Sequence, residues 1–186
     1  MLDRAPGGVD EVGLLVAVQR RIDHPTVVRA ARAMSLFGEH AAGWLALGAA
    51  GAALDPTRRR EWTTAAVGVA GAHGASIALK RVVRRRRPHD PQIAVHVGTP
   101  SRLSFPSSHA TSTTAAVVLY AGLLRRSEAT VPLTSLIPAM ALSRLVLGVH
   151  YPTDVLAGWC AGSAWALLCW TVARWLQHRG DVEPSS

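Results

Sequence analysis

Residues 131–176 read VPLTSLIPAMALSRLVLGVHYPTDVLAGWCAGSAWALLCWTVARWL. Two apolar blocks lie in this stretch, Val131 to Val149 and Pro152 to Leu176. Each has the length a helix needs to cross the hydrocarbon core of a bilayer, roughly 17–25 residues. Ser143 and Arg144 stand well inside the first block, and Asp154 opens the second. Polar groups at that depth are costly toward lipid, so they turn to a bundle interior.

Working outward, a window of about 19 residues finds three more membrane-length segments. Met34 to Leu54 carries Glu39 and His40 near its start, and Trp62 to Leu79 has no charge until Lys80. Ser107 to Leu124 opens with hydroxyl residues and is closed by Arg125 and Arg126. A short polar turn spans residues 55–61, and a long polar stretch spans 81–105. Residues 9–33 hold an apolar run too short to cross, and Asp3, Asp10 and Glu11 ahead of it exclude a secretory signal. The run reads as an amphipathic interfacial helix.

The expected fold is therefore an all-α integral membrane domain over residues 1–186. About five transmembrane helices occupy 34–176, the amphipathic segment occupies 9–33, and a polar tail occupies 177–186. Small residues at Ala66, Ala70, Gly74 and Ala78, and at Gly158 and Gly162, mark faces where helices approach closely.

Composition agrees. The 186 residues are 49% hydrophobic and 17% charged, too apolar for disorder. Two cysteines are too few for a disulfide scaffold. Cys160 and Cys169 fall on opposite faces of one helix and read as packing residues. The net charge of +8 raises nucleic acid as a partner, but the apolar segments exclude that reading. Every basic residue except Lys80 is Arg, which suggests a chemical reason for the lysine.

In an alternating bundle, Lys80 ends one segment where Ser107 begins the next, and His150 ends another where Asp154 begins its successor. Those ends share one membrane face. Lys80, Arg87, Ser107, His109, Arg144, His150 and Asp154 all fall there. Three fixed cations with bidentate Arg forks suit phosphate oxygens. Ser107 and Ser108 follow Pro106 at a helix start, where free amides and the dipole favour an anion. Two histidines offer a nucleophile and an acid, and Asp154, four residues after His150, is placed to orient an imidazole. No metal or other cofactor is expected, because the Arg/Lys clamp supplies the charge.

Each residue has a plainer alternative. Lys80 is also a snorkelling helix end, Ser107 an N-cap, and Asp154 a first-turn charge. Arg84, Arg85 and Arg86 read as a headgroup-binding patch. His24, His40, His73, His89, His96 and His178 fit no such constellation and read as structural or solvated.

These residues resemble the type 2 phosphatidic acid phosphatase family, membrane lipid phosphatases related to vanadium haloperoxidases. Lys80 to Pro88 matches a lysine, six residues, Arg-Pro pattern. Pro106-Ser107-Ser108-His109 matches a Pro-Ser-Gly-His pattern, with Ser108 where glycine is usual. Ser143-Arg144, His150 and Asp154 match the third motif. The resemblance covers roughly residues 62–162 and implies the family's helical core. It further implies that His150 attacks phosphorus to form a phosphohistidine, Asp154 orients it, and His109 protonates the leaving alkoxide. Lys80, Arg87, Ser107, Ser108 and Arg144 would hold the phosphoryl oxygens, with Ser143 a further motif member.

The implied partner is a lipid phosphate in the bilayer. Size, Arg bias and Ala/Gly richness resemble small actinobacterial members thought to act on polyprenyl-phosphate-linked phosphoribose in cell-wall arabinan synthesis. Phosphatidylglycerol phosphate, phosphatidate and undecaprenyl diphosphate are the alternatives. A catalytically silent scaffold would need a motif residue to be missing. The excess of basic residues on the site face argues for a cytoplasmic site, whereas the resemblance implies a multi-pass protein with its site on the outer face.

Overall fold

The computed structural model describes residues 10–22, 24–124 and 127–182. Asp3, Val9, Asp23, Arg125, Arg126 and residues 183–186, all used in the sequence reading, lie outside these. The described chain is helical: α1 (Glu11–Arg21), α2 (Pro25–Gly38), α3 (Ala42–Leu54), α4 (Arg59–Val83), α5 (Ser108–Leu124), α6 (Ser127–Val146) and α7 (Pro152–Val182).

Local chemistry sets the helix starts. The Asp10 carboxylate caps α1 by accepting from the Gly13 amide at 2.9 Å. His24 does the same for α2 through Thr26, with Pro25 at the first helical position. The amphipathic segment is thus two helices rather than one.

The segment read as Met34 to Leu54 is likewise not continuous. It breaks at residues 39–41, where His40 and Ala41 hold φ of 49° and 59°. Left-handed backbone costs a residue with a side chain roughly 1–2 kcal/mol. A hydropathy window registers composition only, and this break is set by tertiary packing.

Helix α5 is the axis of the bundle. Its Ala and Thr side chains from Ala110 to Val117 are buried, short enough to admit neighbours on every side. Along one side run Gly158 and Gly162 of α7. A Cβ added at Gly158 would lie 2.8 Å from the Ser107 carbonyl oxygen, and one at Gly162 would collide with the Thr111 carbonyl. Of the expected stripe on α4, Ala66 lies against Gly48 of α3, whereas Ala70, Gly74 and Ala78 are exposed. Gly74 meets nothing, whereas Gly68 and Gly71 meet Cys169 and Trp165 of α7. Two ring tips inside the bundle are paired: Trp44 Nε1 donates to Thr113 Oγ1 (3.0 Å), and Tyr120 OH to the Trp44 carbonyl (2.9 Å).

The outer surface is apolar. Val67, Val131, Leu156, Leu167, Leu168 and Trp175 are each at least half exposed. A surface so apolar belongs against lipid rather than water. Among the described residues one helix, Pro152–Leu176, is long and apolar enough to cross a bilayer by itself, with 25 residues and a mean hydropathy of 1.5. Helices α3 and α5, at 13 and 17 residues, are shorter than or at the lower limit of a spanning helix.

The stretch between α4 and α5 is pinned over one end of the bundle. His96 N donates to the Leu147 carbonyl (3.1 Å), and Arg32 Nε to the His96 carbonyl (2.9 Å). Gln19 of α1 brackets Ala94, donating to its carbonyl (2.7 Å) and accepting from its amide (3.0 Å). That loop and the helix ends beneath it enclose a cavity.

Candidate active site

The cavity has a volume of about 300 Å³. Lys80 of α4, Arg87 of the following loop, Ser108 and His109 of α5, Arg144 of α6 and His150 of the α6–α7 connection all line it. Five separate stretches of chain thus deliver one cluster of cations, imidazoles and hydroxyl.

His150 is almost wholly buried. Its Nε2 lies 3.1 Å from Arg87 Nη1. A guanidinium can only donate, so Nε2 is the acceptor, unprotonated, with its lone pair directed at Arg87. The proton then belongs on Nδ1, which lies 3.5 Å from Asp154 Oδ2, too long for a hydrogen bond, and has no other partner. Burial first, then the positive charges of Arg87, Lys80 and Arg144, hold the imidazole well below its ordinary pKa of 6.5. The ring is neutral near pH 7, as a nucleophile must be. Burial lowers Arg87 to about 10, which leaves it cationic at neutral pH.

Asp154 is fully buried and does not touch the cavity. Its Oδ2 accepts from the Tyr151 amide (2.9 Å) and its Oδ1 from Arg85 Nη1 (3.0 Å). Arg85 continues to Glu11 of α1 and stacks on the Tyr151 ring at 4.2 Å. Glu11 in turn accepts from Thr153 Oγ1 (2.6 Å) and Thr153 N (3.1 Å). Arg85 is therefore not a headgroup cation. It ties the carboxylate beside His150 to the N-terminal helix.

The other expected residues divide. Lys80 Nζ donates to the Ser104 carbonyl (2.9 Å) and to that of Pro106, leaving one of its three hydrogens for a ligand. Arg144 donates from Nη1 to Ser35 Oγ (3.1 Å), while its buried Nη2 has no partner within the protein. The Ser108 hydroxyl, on the same cavity, is likewise buried without a partner. His109 Nε2 lies 3.0 Å from the Ser35 carbonyl and must donate to it.

Two residues take supporting positions instead of the expected phosphate contacts. Ser107 is fully buried away from the cavity. Its amide donates to the Asp154 carbonyl (2.9 Å) and its hydroxyl accepts from the Ala110 amide (3.4 Å), which is the N-cap reading. The Ser143 hydroxyl donates to the Met140 carbonyl (2.6 Å) and accepts from Arg144 Nε (3.1 Å), so it aims the guanidinium.

Among the histidines set aside, His24 and His89 make local contacts to their own loops. The His178 side chain lies outside the described ones. His40 and His73 line the cavity together with Glu39, and the sequence reading missed all three. His40 and Glu39 sit at the break between α2 and α3, and His73 is a lone imidazole in an Ala/Gly-rich helix. Neither pattern carries a motif.

A buried cluster of Arg, Lys and two imidazoles at one end of an apolar-surfaced helical bundle suits the binding of a phosphate, as in a membrane phosphatase. The chain belongs to the PAP2 superfamily, whose model matches residues 61–178. That makes it a phosphoric monoester hydrolase of the lipid phosphatase kind. It is 59% identical over 156 residues to the decaprenylphosphoryl-5-phosphoribose phosphatase of Mycolicibacterium smegmatis, covering 83% of each chain. The enzyme of the same name from Mycobacterium tuberculosis is 51% identical over 164 residues, covering 88% of this chain and 89% of that one. The fold matches the crystal structure of a transmembrane PAP2-type phosphatidylglycerolphosphate phosphatase from Bacillus subtilis. There the TM-score is 0.71 at 19% identity, over 89% of this chain and 88% of that one.

Proposed function

We propose that the chain hydrolyses the terminal phosphomonoester of a polyprenyl-linked 5-phosphoribose, with the reacting phosphate held at the loop-covered end of the bundle. In this reading the Nε2 lone pair of His150 attacks phosphorus in line with the ester oxygen. The P–O bond breaks as the P–N bond forms, and His109, protonated on both nitrogens with Nε2 held by the Ser35 carbonyl, delivers its Nδ1 proton to the departing ribose oxygen. Water then attacks phosphorus as the P–N bond breaks and returns the lone pair to His150 Nε2, His109 Nδ1 takes the water proton, and inorganic phosphate leaves. Lys80, Arg87, Arg144 and the Ser108 hydroxyl bind the non-bridging oxygens, and their charges offset the charge that builds there in the transition state. Asp154 stabilises the imidazolium character that develops on His150.

The observation that carries this reading is a pair of unsatisfied groups, Arg144 Nη2 and Ser108 Oγ, from residues that both line the cavity. Buried donors without partners are costly, and the oxygens of a phosphoryl group satisfy both. The identity to two relatives named for this substrate favours it over other lipid phosphates. The test is phosphate release in detergent from a panel of decaprenylphosphoryl-5-phosphoribose, phosphatidylglycerol phosphate, phosphatidate and undecaprenyl diphosphate. The first is expected to give the highest kcat/KM.

The reading includes about five spans, formed by α2–α3 as a broken pair and by α4 to α7, with α1 against the surface. It places the site at the outer face. His96→Cys in a background lacking Cys160 and Cys169 is then expected to react with an impermeant maleimide on intact cells. Protection until the cells are opened would reverse the orientation.

A further inference from the structure

One wall of the cavity has no part in the phosphate chemistry just described. Glu39, His40 and His73 line it alongside the phosphate cluster. The two imidazoles meet edge to face, with centroids 6.1 Å apart. His73 Nδ1 is buried and has no hydrogen-bond partner within the protein. The backbone that presents His40 is held at positive φ in two successive residues that are not glycine, a strain that persists where function or packing requires it. His73 stands about 10 Å before Lys80 along α4, so its end of this wall extends toward the middle of the bundle, while Glu39, next to Gly38, stays close to His109.

We propose that Glu39, His40 and His73 form a subsite for the hydroxyl groups of a sugar carried between the reacting phosphate and the lipid tail. The inference rests on the phosphatase reading above and decides among its substrates. A neutral imidazole offers one donor and one acceptor, and a carboxylate offers acceptors alone. A vicinal diol presents both O–H donors and lone pairs and matches that set. A second phosphate in a diphosphate lipid offers acceptors and would meet the Glu39 carboxylate with like charge. An acylated glycerol would leave the His73 nitrogen and the carboxylate unpaired. A site built to hydrogen-bond hydroxyls discriminates strongly against an analogue that lacks them.

The test compares kcat/KM for phosphate release from decaprenylphosphoryl-5-phosphoribose and from phosphatidate, using the full chain in detergent. The wild type is set beside Glu39→Gln and His73→Ala. Glu39 lies in an exposed turn, so its amide variant keeps the fold even if the α4 variant does not. The selectivity ratio is expected to fall about tenfold in each variant, the effect of one lost hydrogen bond near a charge. An unchanged ratio, or an equal loss on both lipids, overturns the subsite. Wild-type enzyme that cleaves phosphatidate but refuses the sugar lipid overturns the subsite and leaves a phosphatase. Wild-type enzyme that cleaves neither lipid overturns the phosphatase reading itself.

Discussion

His150 is held as a neutral ring whose lone pair points at Arg87 rather than at Asp154. Its proton state follows from burial and three surrounding cations, which also sets the pH behaviour. Protonation removes the lone pair, so activity is lost as pH falls through the folded-state pKa. Because that value lies below 6.5, the acid limb of kcat/KM is expected below the ordinary imidazole range; a limb at or above 6.5 contradicts the assignment. Stability carries the same sign. The unfolded imidazole takes up a proton more readily, so stability present above about pH 6.5 declines below it. His150→Ala is expected to lower kcat by at least about a thousandfold with an unchanged fold by circular dichroism, the scale on which a lost nucleophile acts. That His150 and Arg87 would meet was legible in the sequence because both fall where consecutive apolar segments end on one face. Ser107 and Ser143 were legible as motif members but not as supports, since only the packed structure shows where their hydroxyls and amides go.

At the scale of elements, the docking of α1 decides how firmly Asp154 is held. Glu11 and Arg85 are 74 residues apart, and nothing in an Arg-rich run distinguishes the one arginine that reaches a buried carboxylate. Arg85→Ala frees Asp154 Oδ1 and is expected to cut kcat about tenfold with little change in KM, the effect of one charge-assisted hydrogen bond. Restoration by Arg85→Lys of part of that loss would identify the ion pair as its source. An effect on KM alone would make Arg85 a binding residue instead. The break between α2 and α3 was equally hidden, because composition across Met34 to Leu54 is continuous while the backbone is not. The Gly158 and Gly162 face was readable as a close approach, although the same spacing on α4 leaves Gly74 against nothing. Gly162→Leu is expected to destabilise the bundle by about 1–3 kcal/mol, the usual penalty of overpacking, read as a lower Tm in detergent.

At the scale of the molecule, an apolar exterior and a polar, cationic end are two consequences of one arrangement. The exposed Leu, Val and Trp side chains of α4, α6 and α7 make the exterior apolar, and the buried charges are collected at the loop-covered end. In the proposed reading a lipid headgroup reaches them there without leaving the bilayer. The membrane character and the family were legible because both depend on block composition and motif order. The depth of the cavity and its Glu39–His73 wall were not, because they arise where helices distant in sequence meet. The most direct test of the whole arrangement is to mix the enzyme with lipid carrying radiolabelled terminal phosphate, quench in alkali and follow label on the protein. The wild type is predicted to form an alkali-stable, acid-labile phosphoenzyme that His150→Ala does not form. Label retained by that variant, or turnover continuing without it, would contradict the account.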